Sequence, residues 1–172
     1  MALSPGHHAT LQELRTLELS AAWPLAVLER LVSLARIVEC RAGTVVFQEG
    51  DPADCIAVVA AGTVALEMRF PGRGRVRLLT VGRGELLGWS ALLGGGSVTA
   101  TAVAQTDLRL VSFSGRDLAA LCDRDHEVGF HVMRRLAWAV SRRLTATRLQ
   151  LLDLYSREAP IIPEASGGRG GS

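Results

Sequence analysis

The chain has 172 residues, with 19 Lys+Arg against 17 Asp+Glu, a formal net charge of +2 and 48% hydrophobic residues. That length and composition suit one folded domain and exclude a disordered chain. No apolar run approaches the ~20 residues of a membrane span, and residues 1–10 lack the basic start and apolar core of a signal peptide, so a cytoplasmic protein is expected.

All 19 basic residues are Arg, and neither Lys nor Asn occurs. This reads as the codon bias of a GC-rich genome, not as phosphate recognition. The near-cancelling charges argue against a nucleic-acid binder, which concentrates positive charge on one face. Cys40, Cys55 and Cys122 form no C-x-x-C pair. No zinc site or iron–sulfur cluster of the usual spacing is expected, and the thiols read as reduced and buried. His126 and His131 stand five apart, off the i, i+4 spacing of a helical metal pair, and read as surface residues.

In chain order, residues 11 to about 41 carry a helical pattern. Leu28, Leu31, Val32 and Ala35 follow the spacing of an apolar helix stripe, and Pro24 fits a first helical position. From 43 to 113 the pattern becomes short β runs punctuated by glycine turns. Eleven of the 18 glycines fall between Gly43 and Gly96, too many for a helical region. Strands are predicted over 44–48, 55–60, 63–69, 75–81, 99–104 and 107–113. Residues 63–69 and 75–78 alternate as half-buried antiparallel strands do, joined by a turn at Pro71-Gly72-Arg73-Gly74. Many short strands without intervening helices predict a sandwich or barrel.

Helical grammar returns at Ser114, which reads as an N-cap with Asp117 in the first turn. After Asp123-Arg124-Asp125, a pattern without Pro runs from about His126 to Tyr155. Met133, Leu136, Val140, Leu144, Thr147, Leu151 and Leu154 lie three or four apart, as in a coiled-coil seam. A helix of ~30 residues would be ~45 Å long, more than a small barrel needs for cover. Its far end is therefore expected to pack on a second copy. Met133, Leu136, Val140, Leu144 and Leu151 are the expected dimer residues. Residues 156–172, rich in Gly and Pro, read as a disordered tail.

The run Gly43-Thr44-Val45-Val46-Phe47-Gln48-Glu49-Gly50-Asp51-Pro52-Ala53-Asp54, followed by Val58-Val59 and Gly62-Thr63-Val64, resembles the opening half of a cyclic nucleotide-binding domain. Similar patterns occur in the catabolite activator family, protein kinase regulatory subunits and gated ion channels. The resemblance covers about 17–155. It implies one domain over 11–155, mainly β with flanking helices. An N-terminal helix would precede an eight-stranded, jelly-roll-like β-roll over about 43–113. Two C-terminal helices over about 114–155 would follow, the last a dimer element.

In that family a phosphate-binding cassette follows the central glycine turn. It reads Gly-Glu, a short helix with Ala-Leu-Leu, then Arg-Thr-Ala or Arg-Ala-Ala. Backbone N–H groups and Arg hold the phosphate, and Glu holds the ribose hydroxyl. Here Gly88, Ala91, Leu92, Leu93, Thr99 and Ala100 match that pattern. Trp89 stands where the Glu belongs, and Val98 where the Arg belongs. The candidate pocket is Gly88, Trp89, Ser90, Ala91, Val98, Thr99 and Ala100. A cyclic nucleotide is the ligand that the resemblance implies, yet its standard phosphate and ribose contacts are absent. Arg83, Arg109 or an Arg of the last helix are candidates to replace the lost charge.

The resulting expectation is a homodimeric regulatory or sensor domain that binds another small ligand, or a cyclic nucleotide weakly, and signals to an unknown protein partner. Two alternatives stand beside it. One is a dimeric interaction scaffold whose vestigial pocket is filled by Trp89. The other is the sensor half of a transcription regulator lacking its helix-turn-helix. A DNA-reading module needs on the order of 50 residues, and only the tail follows Tyr155, so direct DNA binding is not expected. No catalytic motif or metal site stands out. His7, His8, His126 and His131 are the only histidines available as haem ligands. The turns Gly72-Arg73-Gly74 and Gly82-Arg83-Gly84 lack the strand–turn–helix context of a dinucleotide site.

Overall fold

Strands with apolar residues on both faces need cover on both sides, and that requirement organises this molecule. The computed structural model describes residues 6–17, 20–72, 74–94 and 96–158, without the side chains of 151 and 153–158. Among the described residues, nine strands form two antiparallel sheets. The elements are β1 (His7–His8), α1 (Leu11–Thr16), α2 (Leu25–Val32), β2 (Arg36–Cys40), β3 (Val45–Phe47), β4 (Cys55–Ala61), β5 (Val64–Phe70), β6 (Gly74–Val81), β7 (Leu86–Leu87), α3 (Ser90–Leu93), β8 (Thr101–Ala104), β9 (Leu108–Ser114), α4 (Gly115–Arg124) and α5 (His126–Glu158). One sheet has the order β1-β2-β9-β4-β7, the other β3-β8-β5-β6.

The five-stranded sheet carries two cores. Its outer face presents Ile37, Ile56, Val58, Leu86, Val111 and Phe113 to Leu14, Val27, Leu28, Leu31, Leu118, Val128 and Leu136 of the helices. Its inner face presents Val38, Ala57, Val59, Leu87, Leu108 and Leu110 to Val64, Leu66, Val81, Ala102 and Ala104 of the four-stranded sheet. Residues alternate between the two cores as the period of a strand requires. This is the mainly β roll that the sequence predicts, with helices on one side and a long C-terminal helix.

Two units divide after Ala139. Met1–Ala139 holds both sheets, α1 to α4 and the start of α5, and Val140–Ser172 holds the rest of that helix.

Several predicted boundaries move. The helical pattern predicted to reach about 41 ends at Val32, and Arg36–Cys40 is a strand paired with β9 from Arg36↔Ser112 to Cys40↔Leu108. Isoleucine and valine at 37 and 38 suit that pleated position. Pro24 is the residue before α2, not its first turn. The resemblance implies eight strands. Over about 43–113 the described residues hold seven, β3 to β9, and β1 and β2 precede them; β1 and β7, two residues each, pair with β2 and β4. At Ser114 the prediction holds: its Oγ accepts the Asp117 N–H at 3.3 Å. Asp125 is extended, and its Oδ1 accepts the Val128 N–H at 3.2 Å, which separates α4 from α5. The last helix continues past Tyr155 to Glu158, so the start of the predicted tail is helical, while 159–172 lie outside the described residues.

The seam also divides. Leu136 is only 3% exposed, within the helix-side core, and so does not face outward as a dimer residue. Met133, Val140 and Leu144 are exposed. Leu151 and Leu154 have side chains outside the described residues. His131 is not the surface residue predicted. It is half-buried, its ring centroid 5.5 Å from those of both Trp23 and Phe130, and its Nδ1 is buried without a hydrogen-bond partner among the described residues.

Candidate functional site

The cassette begins where β7 ends. Gly88 has φ +69°, and a Cβ there would meet the Cys55 carbonyl oxygen at 2.4 Å. Only glycine fits this left-handed position so close to β4. The chain then turns into α3, whose N-cap is Trp89. The N–H groups of Ala91, Leu92 and Leu93 close the short turn onto the Gly88 and Trp89 carbonyls. On its far side α3 packs against the start of α4, where a Cβ on Gly115 would meet the Ala91 carbonyl oxygen at 2.6 Å. The helix is thus seated between two backbones.

The return arm is held by the Glu-Gly-Asp turn after β3. Val98 N–H donates to the Asp51 carbonyl at 2.9 Å, Gly50 N–H donates to the Val98 carbonyl at 2.9 Å, and Ser97 bridges Pro52. The Gln48 N–H donates to Asp51 Oδ2 at 3.0 Å, and this bond holds the Asp51 carboxyl below its ordinary pKa. Sequence reasoning used this turn as a family marker and missed its job of clamping the cassette. The signal is the Asp three residues after Gln48, a spacing at which a carboxylate reaches back to a backbone N–H.

The predicted pocket residues separate between the two cores. Trp89, like Leu92 outside the predicted pocket, is half-buried against the helix-side cluster. Val98 is 6% exposed. Thr99 is exposed, and Ala100 is half-buried against the inner cluster beside Phe47 and Leu79. Gly88, Ser90 and Ala91 are intermediate in exposure. The cassette is therefore a loop whose first arm leans on the helices and whose second arm enters the roll.

Of the candidate replacement charges, Arg109 is ruled out. It pairs with Glu13 of α1 and lies 3.8 Å from Glu39 of β2, on the outer face of its sheet. Arg83 is exposed. Arg135, one of the arginines of the last helix that the sequence offers as candidates, donates from Nη2 to the Gly84 carbonyl at 3.1 Å. Its guanidinium stacks 4.0 Å from the Trp138 ring centroid. It joins the long helix to the turn just before the cassette. Burial raises the pKa of the Cys55 thiol, which lies beneath Gly88 on β4. Cys122 is buried, and Cys40 and Cys55 are half-buried. Among the described residues no group of three or more His, Cys, Asp or Glu could hold a metal ion.

A family model described as the cyclic nucleotide-binding domain matches residues 37–125, from β2 to the end of α4 and including the whole cassette. The chain is 32% identical over 119 residues to the CRP-like cAMP-activated global transcriptional regulator of Mycobacterium tuberculosis, covering 69% of this chain and 51% of that protein. It therefore spans about half of that relative's length. The solved N-terminal domain of a transcriptional regulator from Streptomyces coelicolor is 33% identical, with a TM-score of 0.61, over 78% of this chain and 94% of that one. A cyclic nucleotide-binding domain from Methylobacillus flagellatus shares the fold, at a TM-score of 0.76 over 94% of this chain and 90% of that one, with 19% identity.

Proposed function

Because the chain belongs to the cyclic nucleotide-binding domain family, we propose that it is a regulatory or sensor domain with an atypical phosphate-binding cassette. Its ligand is a small molecule other than a standard cyclic nucleotide, or a cyclic nucleotide held weakly. Occupancy is passed through α5 to a protein partner, within a homodimer and without catalysis. Among the described residues no helix is long and apolar enough to cross a membrane, and a cytoplasmic setting fits this reading.

The observation that carries the proposal is the chemistry of two positions. Val98, where the family carries Arg, is an apolar side chain 6% exposed. A phosphate placed beside it loses water and gains no counter-charge. Trp89, where the family carries Glu, leans on the helix-side core. One charge-assisted hydrogen bond is worth ~1.5–3 kcal/mol, so losing the Arg weakens binding by roughly 10- to 150-fold. The Arg135–Gly84 bond supports the route from cassette to helix.

The test is calorimetry with cyclic AMP, cyclic GMP and cyclic dinucleotides. Wild-type protein is expected to bind cyclic AMP no more tightly than high micromolar, and the double change Trp89→Glu with Val98→Arg to improve it. Tight wild-type binding would mean that another group has replaced the missing charge.

Trp89 itself favours a second reading, since packing on its own core suits an interaction scaffold whose pocket is vestigial. Silence toward every compound, with a dimer intact, would favour that reading. The named relatives, and the 51% of the regulator's length that is covered, favour a third, the sensor half of a transcription regulator. The encoded length of the natural gene tests it, since a transcription regulator needs on the order of 50 further residues for a DNA-reading module.

A further inference from the structure

At one end of the four-stranded sheet, beside the turn that clamps the cassette's return arm, lies an open groove of about 880 Å³. One wall is the β5–β6 hairpin, with Arg69, Phe70 and Arg75, and the other is Glu49 with Thr101. Two features of this groove are unusual for a plain surface.

The first is charge placement. Arg69 and Arg75 are direct cross-strand partners, so two like charges face each other, which destabilises a bare hairpin. Among the described residues neither forms an ion pair. The second is shape with an apolar anchor. Phe70, 48% exposed, adjoins the arginines in the same groove. Thr101 Oγ1 accepts the Glu49 N–H at 3.1 Å, and Glu49 Oε2 accepts the Arg69 N–H at 3.1 Å. The opposite wall is therefore fixed to the hairpin.

We propose that this groove docks an extended acidic segment of a partner protein, one carboxylate meeting Arg69 and Arg75 and an apolar side chain meeting Phe70. Charge complementarity selects the occupant. Glu67 alternates with Arg69 along β5, and Glu49 lines the facing wall. A continuous run of phosphates would meet these two carboxylates, whereas a peptide places its acids apart and avoids them.

The experiment uses the whole chain and a fluorescein-labelled nine-residue peptide with Glu at alternate positions and Val or Thr between, read by polarisation. Binding is expected to weaken at least tenfold in Arg69→Glu/Arg75→Glu and to fall with added salt. The counterpart peptide with Lys in place of Glu is expected to bind that variant better than wild type, a reversal that mere loss of folding cannot produce. Phe70→Ala is expected to weaken the Glu peptide without changing its salt dependence. The proposal is overturned if wild type ignores the Glu peptide, if the variant binds it equally, or if a single-stranded oligonucleotide binds more tightly than the peptide.

Discussion

Gly88 shows how much one residue decides. Its left-handed backbone costs a side-chain-bearing residue ~1–2 kcal/mol, and the Cys55 carbonyl leaves no room for a Cβ. Gly88→Ala is expected to lower unfolding free energy by about 2 kcal/mol or more, measured by denaturant titration, and to displace the cassette. An unchanged midpoint would show that β4 gives way. The glycine was legible in the sequence as a family match. The contact that demands it was not, because Cys55 lies 33 positions away. Trp89 is the converse case: its identity is plain in the sequence, but which of two cores it joins depends on how the loop is seated.

Among the elements, α1 is the clearest case of a short helix stabilised by its ends. Thr10 N–H donates to Glu13 Oε2 at 2.7 Å, and Glu13 N–H donates to Thr10 Oγ1 at 3.2 Å, a capping box. The Thr10 bond, helped by Arg109, holds the Glu13 carboxyl below its ordinary pKa. A lowered folded-state pKa stabilises above the unfolded value and is lost as pH falls through the folded one. Glu13→Gln keeps an oxygen for the Thr10 N–H and removes only the charge, so it should cost about 0.2–1 kcal/mol at pH 7. The gap in melting temperature between the two proteins should close below about pH 4. A gap constant from pH 7 to pH 3 would argue against the charge. Helix α5 is read at the same scale. Leu136→Ala, in the core, is expected to cost about 2–5 kcal/mol in chemical denaturation.

For the whole molecule, the proposed assembly rests on Met133, Val140 and Leu144, which remain exposed. Leu144→Asp would place a carboxylate in the interface and is expected to convert a dimer to a monomer in light scattering. Since Leu144 is 51% exposed, its replacement should leave the folded monomer's far-UV spectrum unchanged. A wild-type monomer at micromolar concentration would remove the premise.

The sequence by itself determined the local grammar: glycine-punctuated strands, the Ser114 cap and the break at Asp125. Each is written within a few residues, where strand and helix periods and turn chemistry act. Only the tertiary structure decided what depends on distant partners. Arg36–Cys40 became a strand because β9, some seventy residues later, offers its edge. Arg109 faced Glu13 instead of the cassette because its strand alternates that way. Leu136 turned inward while Met133 stayed out, because a helix of 3.6 residues per turn buries one stripe, and spacing alone does not say which.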